Sequence, residues 1–196
     1  MPPPGARGAA VGANAQNPTP LDRHWRTAPL AEFVDYIVSR HHSYTRQALS
    51  RLAALVQEAL KDEAGRDAET VPRAEALFGV LKTRLDHHLL AEESNAFPMI
   101  RRMATAGQAV STATQGRSAS YLLEHLSGEH GIMAKLVSET EQLLSGYAAS
   151  RQTGATLSAF RNLLQTLGAD LAQHSHLEDD ILFPRVRAME SGNAAE

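Results

Sequence analysis

Two stretches of this chain spell the same pattern 86 residues apart: HLLAEESNAFP at 88–98 and HSHLEDDILFP at 174–184. Each sets a histidine, a glutamate four residues on, and a Phe-Pro pair five and six residues after the glutamate. On an α-helix, residues i and i+4 stand on one face about 6 Å apart. His88 with Glu92, and His174 with Glu178, therefore each aim an imidazole and a carboxylate at one point. Each copy also follows a further histidine at similar distance: His42 lies 46 residues before His88, and His130 lies 44 before His174. Two helical hairpins, each carrying His and then His-x-x-x-Glu, are the simplest description of the chain.

Four stretches carry apolar seams at helical spacing. They run from about residue 29 to 64, 71 to 103, 118 to 147 and 155 to 189. The first seam reads Val38, His42, Thr45, Leu49, Leu52, Val56, Ala59, and the second Leu77, Leu81, Leu85, His88, Glu92, Met99. The third reads Leu123, Leu126, His130, Met133, Val137, Thr140, Leu144, Tyr147, and the fourth Phe160, Leu164, Leu167, Leu171, His174, Glu178, Ile181. Period-two alternation is missing, so the expected fold is all-α: an antiparallel up-down-up-down four-helix bundle over 27–190, behind a disordered tail at 1–26. Thr27 is the expected cap of the first helix, with Pro29 in its first turn. The Phe-Pro pairs are expected to bend or end their helices, because proline removes an internal hydrogen bond.

The numbering tests whether the six polar seam residues meet. Antiparallel neighbours bring to one level residues equidistant from the middle of their connector. His42 and the centre of the 88–92 pair are symmetric about residue 66; that pair and His130 about 110; His130 and the centre of the 174–178 pair about 153. All three midpoints fall in connectors recognisable from their Gly, Ser, Thr and Ala content. His42, His88, Glu92, His130, His174 and Glu178 are therefore expected to converge. Four imidazoles and two carboxylates are too costly to bury unpaired. Two metal ions bridged by the carboxylates would satisfy them, and nitrogen and oxygen donors suit iron, manganese or zinc. Among the neighbours, His41, His87 and His176 are expected to be solvated or to support the centre, and His24 and His125 to be structural. Glu93 and Asp179 sit five residues after their histidines and are weaker substitutes for Glu92 and Glu178; Asp180 is expected on the exposed side.

Composition removes competing chemistries. The chain has no cysteine, which excludes disulfides, thiolate metal sites and cysteine nucleophiles. A net charge of −3 offers no basic footprint for nucleic acid. No apolar run approaches a membrane span and the N-terminal stretch lacks a signal-peptide core, so a cytoplasmic location is expected. The Glu-x-x-His of ferritin-like bundles, the His-Glu-x-x-His of zinc proteases, the phosphate-binding glycine loop and the nucleophile elbow are all missing.

The strings HHSYTRQAL (41–49), LDHHLLAEESNAFPMI (85–100), LLEHLSGEHGIMAKLV (122–137) and DLAQHSHLEDDILFPRV (170–186) resemble the hemerythrin-like HHE cation-binding domain. More narrowly, they are similar to the repair-of-iron-centres family. The resemblance implies two iron ions held by His42, His88, Glu92, His130, His174 and Glu178, with Glu92 and Glu178 as bridges. It also implies a role in nitrosative or oxidative stress, supporting the repair of damaged iron–sulfur proteins by iron supply or nitric oxide binding. Oxygen or nitric oxide sensing, and peroxide breakdown or nitric oxide reduction, are the alternatives. The match departs from the family in two places. Members of the family often carry an N-terminal cysteine-containing domain, where this chain has a cysteine-free tail. They also tend to have a histidine late in the first helix, where this chain has Glu63, about 31 Å along the helix from His42 and so outside the centre. Oxygen-carrying hemerythrins are less similar: they use His-x-x-x-His in the third helix, and four residues after His130 stands Ala134.

Overall fold

A computed structural model describes residues 18–63, 69–106, 118–150 and 153–192. Its elements are α1 (Pro20–Trp25), α2 (Leu30–Tyr36), α3 (Ser43–Asp62), α4 (Thr70–Ala91), α5 (Phe97–Ala106), α6 (Ala119–Ser150), α7 (Ala155–Leu177) and α8 (Phe183–Glu190). Short π-helical segments, Ile37–His42, Glu92–Ala96 and Glu178–Leu182, join α2 to α3, α4 to α5 and α7 to α8. Four long rods result. α3 packs on α4 and α7, and α6 packs on the same two, which closes the expected four-helix bundle. The connectors holding residues 66 and 110 lie outside the described residues, as do residues 1–17 of the expected tail.

Part of the stretch expected as a disordered tail is helical. Residues 20–25 form α1, started by Thr19, whose hydroxyl accepts from the Asp22 N–H while the Asp22 carboxylate accepts from the Thr19 N–H. This reciprocal cap holds a six-residue helix that would be marginal alone. Trp25 at its end is buried and stacks on Phe33 of α2, with ring centres 4.7 Å apart. Arg185 of α8 donates to the Trp25 and Ala28 carbonyls. The expected Thr27 cap is not used; α2 begins after Pro29, which makes no side-chain cap.

The Phe-Pro pairs do not end their rods. The Phe97 N–H donates to the Glu92 carbonyl and the Phe183 N–H to the Glu178 carbonyl, both five residues back. The widened turn lets Pro98 and Pro184 enter as the second residues of α5 and α8, where a missing N–H is tolerated. The first rod has the same widened turn, closed by the Ser43 N–H on the Val38 carbonyl. It shifts the seam by one residue: Ile37 is fully buried and Val38 only partly, against the four-residue spacing read from the sequence. In α4, Phe78 takes the buried position expected of Leu77.

Apolar side chains form two clusters. One lies among α3, α4, α6 and α7 and includes Leu49, Leu81, Leu85, Met133, Phe160 and Leu171. The other gathers α1, α2, α5, α8 and the start of α6 around Trp25, Phe33, Phe97, Leu126 and Phe183. Between them lies one buried polar layer.

Candidate metal centre

His42, His88, Glu92, His130, His174 and Glu178 are all buried, and the fold brings all six together. They form two groups of potential metal donors. One is His42, Glu92, His174 and Glu178; the other is His88, Glu92, His130 and Glu178, and within each the donor atoms lie within 4.8 Å of one another. Both carboxylates belong to both groups. Glu92 lies 3.3 Å from His42 Nε2 through Oε2 and 3.1 Å from His88 Nε2 through Oε1. Glu178 lies 3.0 Å from His174 Nε2 through Oε1 and 3.2 Å from His130 Nε2 through Oε2. The imidazoles meet in pairs, His42 Nε2 to His174 Nε2 at 3.3 Å and His88 Nε2 to His130 Nε2 at 3.1 Å. Each pair takes one histidine from each hairpin, so neither hairpin builds a donor group alone.

This arrangement fits a cation at each group. All four oxygens of Glu92 and Glu178 are buried with no hydrogen-bond partner among the described residues, a costly state for an acceptor. Two divalent cations would use these oxygens and the four Nε2 atoms together. Electrostatics tie the layer together. Burial raises the Glu178 carboxyl, but His174 and His130 beside it hold it well below the usual carboxylate range. Burial lowers His130, but the Asp179 and Glu178 carboxylates beside it carry it up to about 10.

A second ring of contacts orients the donors. Glu93 Oε1 lies 2.7 Å from His42 Nδ1 and also accepts from Arg46 at 2.9 Å. Asp179 Oδ2 lies 2.9 Å from His130 Nδ1. Phe97 stacks on His42 and Phe183 on His130, at 5.5 and 6.4 Å. The repeat extends outward with altered chemistry: His41 pairs with Asp170 at 3.2 Å, and the matching positions in the other copy hold Glu129 and Arg84, at 3.1 Å.

The surrounding residues sort as follows. His41 is fully buried, stacked 5.5 Å from the His174 ring, rather than solvated. His176 is partly exposed between Asp180 and Asp22, while His24, His87, His125 and Asp180 are exposed. From spacing alone, Glu93 and Asp179 are expected only as weaker substitutes for their neighbours. They instead hold the far side of two imidazoles, because the π turn at Glu92–Ala96 and its twin change which way the next residue points. The acidic doublet at the same position of both repeats is the sequence signal for this. Glu63 lies outside the centre, as expected, bonded to Tyr147 and the Gly154 N–H.

A cavity of about 760 Å³ between α6 and α7 reaches the layer at His88, His130 and His174. Gly131, Ala134 and Ser138 of α6 and Ala169, Ala172 and Ser175 of α7 line it. A Cβ built on Gly131 meets nothing within 4 Å, so this glycine leaves open space beside His130 rather than allowing close helix contact.

Among the described residues no helix is long and apolar enough to cross a membrane. The chain is similar to proteins named iron–sulfur cluster repair protein YtfE from Citrobacter koseri, Salmonella paratyphi B and Salmonella newport. Each is 28% identical over 172 residues, covering 87% of this chain and 72% of the relative. The model of the hemerythrin HHE cation-binding domain matches residues 34–186, which contain every donor of the buried layer. The chain belongs to the hemerythrin HHE cation-binding family.

Proposed function

We propose that this protein is a non-haem di-iron protein that supports repair of damaged iron–sulfur proteins under nitrosative or oxidative stress. His42 and His174 would hold one iron and His88 and His130 the other, with Glu92 and Glu178 bridging both. The observation that carries this reading is that two buried donor groups share both carboxylates and each draws on both hairpins. A bound di-iron pair would supply redox chemistry and open positions for a small exogenous ligand. The residues of the chain fix the donors and neutralise them, and Phe97 and Phe183 cover one side of the layer. The relatives named as iron–sulfur cluster repair proteins favour repair as the process served, through iron supply or nitric oxide binding. The cavity reaching three of the four histidines favours a second reading, in which oxygen, nitric oxide or peroxide is bound or turned over there.

Iron content and absorption spectrum, before and after oxygen and nitric oxide, test the proposal. About two irons per chain are expected after iron-replete expression, with a spectrum that responds to either gas. His88→Ala with His174→Ala should remove the iron, because each substitution dismantles a different group. Fewer than about one metal per wild-type chain, or unchanged metal in the double variant, would overturn it. Recovery of a nitric oxide-damaged cluster enzyme in a defined mixture separates repair from the second reading, which expects rapid peroxide turnover instead.

A further inference from the structure

The donor layer is closed on one side and open on the other. Towards α1, Phe97 and Phe183 stack on His42 and His130 and cover the centre with carbon. The opposite side is set by the residues one turn from each histidine: Thr45 after His42, Leu85 before His88, Met133 after His130 and Leu171 before His174. Leu85, Met133 and Leu171 all line the α6–α7 cavity. Thr45 stands at the same level on α3, outside the lining of that cavity; it is fully buried and is the only one of the four with a hydrogen-bonding hydroxyl.

That hydroxyl behaves differently from others in the same fold. Threonines inside helices commonly donate to the carbonyl four residues back, and Thr83, Thr105, Thr140 and Thr166 all do so here. Thr45 Oγ1 is buried and has no partner among the described residues. The π segment Ile37–His42 ends just before it, and its carbonyls follow the wider register. An unpartnered buried hydroxyl costs stability that a methyl group of the same shape would not.

We infer that Thr45 donates a hydrogen bond to a small anionic or diatomic ligand taken up at the metal centre from the α6–α7 cavity. This rests on the di-iron reading above. Thr45 and His42 are neighbours on one helix face, roughly 6 Å apart at Cβ, so a ligand of two or three atoms reaches from the centre to the hydroxyl. The donor selects ligands whose outer atom accepts a hydrogen bond. Leu85, Met133 and Leu171 offer no comparable group.

Azide binding to the iron-loaded protein tests the assignment, with Thr45→Val and Thr45→Ser beside wild type. Thr45→Val should load iron normally and bind azide about tenfold more weakly, the loss of one hydrogen bond. Thr45→Ser should stay within about twofold of wild type. After iron is stripped, Thr45→Val should melt at or above the wild-type temperature, since it only removes an orphaned hydroxyl. Equal azide affinity in wild type and Thr45→Val would overturn the role of Thr45 while leaving the di-iron reading intact. A clearly lower melting temperature of the stripped Thr45→Val protein would show that the hydroxyl holds the fold, and would overturn it too. Iron-loaded wild type that binds no azide would overturn the role of Thr45, whereas the di-iron reading stands or falls with the iron content.

Discussion

Glu93 holds His42 from a different helix, Oε1 to Nδ1 at 2.7 Å, across 51 residues of sequence. Asp179 does the same for His130 at 2.9 Å in the second repeat. Each acid follows a carboxylate of the buried layer, so one π turn delivers a position shared by both groups and an orienting one in consecutive residues. A carboxylate on Nδ1 fixes the tautomer that leaves Nε2 free to bind a cation, and makes the imidazole a better donor.

Glu93→Gln and Asp179→Asn should therefore weaken metal binding about 10–100-fold each, without unfolding the protein. Competition against a chelator of known affinity, with helicity followed alongside, measures both. The two substitutions should weaken different metals, since His42 and His130 belong to different groups.

The convergence of the six polar seam residues is legible in the sequence because helical spacing and level-matching depend only on residue counts. His42, His88, Glu92, His130, His174 and Glu178 all fall in the buried layer for that reason. The π turns were not legible. Phe97-Pro98 and Phe183-Pro184 signalled a disturbance, yet proline chemistry alone does not distinguish a kink from a widened turn. Read as regular helix, the turns after Glu92 and Glu178 hide the roles of Glu93 and Asp179, and the separate widened turn at Ile37–His42 puts Val38 where Ile37 lies. The pairing of His41 with Asp170 spans 129 residues and carries no local pattern that could announce it.

Asp22 makes the docking of α1 sensitive to acid. Burial raises its carboxyl, but the Thr19 N–H and hydroxyl and the nearby His176 outweigh this and hold it below the usual aspartate value of 3.8. A lowered folded-state value means the contribution is fully present above about pH 4 and is lost as pH falls through the folded value. Trp25 is the only tryptophan and sits at the end of this helix. Its emission should shift to the red as pH drops below about 4. Asp22→Asn should show a red-shifted emission already at neutral pH and lose the acid step. An acid step of equal size in Asp22→Asn would assign the transition to other groups.

Glu63 ties three rods together at the end of the bundle away from α1. Buried at the end of α3, its carboxylate accepts from the Tyr147 hydroxyl of α6 at 3.0 Å and from the Gly154 N–H before α7 at 3.2 Å. Glu63→Ala strands both donors and should cost roughly 2–3 kcal/mol, a fall in melting temperature of roughly 5–10 °C. Iron content should not change, because about 31 Å of helix separates this residue from His42. Calorimetry and metal analysis on one preparation separate the two effects.

Metal stoichiometry should distinguish the carboxylates shared by both groups from the histidines that serve one. His42 serves one donor group, whereas Glu92 places one oxygen beside each imidazole of its own hairpin and belongs to both groups. His42→Ala should leave His88, His130 and both carboxylates able to hold one iron, so about half the wild-type content is expected. Glu92→Ala removes an oxygen from both groups and leaves each with two imidazoles and Glu178 alone; iron should fall well below one per chain. The same contrast should hold between His130→Ala and Glu178→Ala, because the second hairpin repeats the first. If His42→Ala and Glu92→Ala lose the same amount of iron, the two ions bind as a single cooperative unit and the terminal histidines are as indispensable as the bridges. If Glu92→Ala keeps more iron than His42→Ala, Glu92 does not bridge.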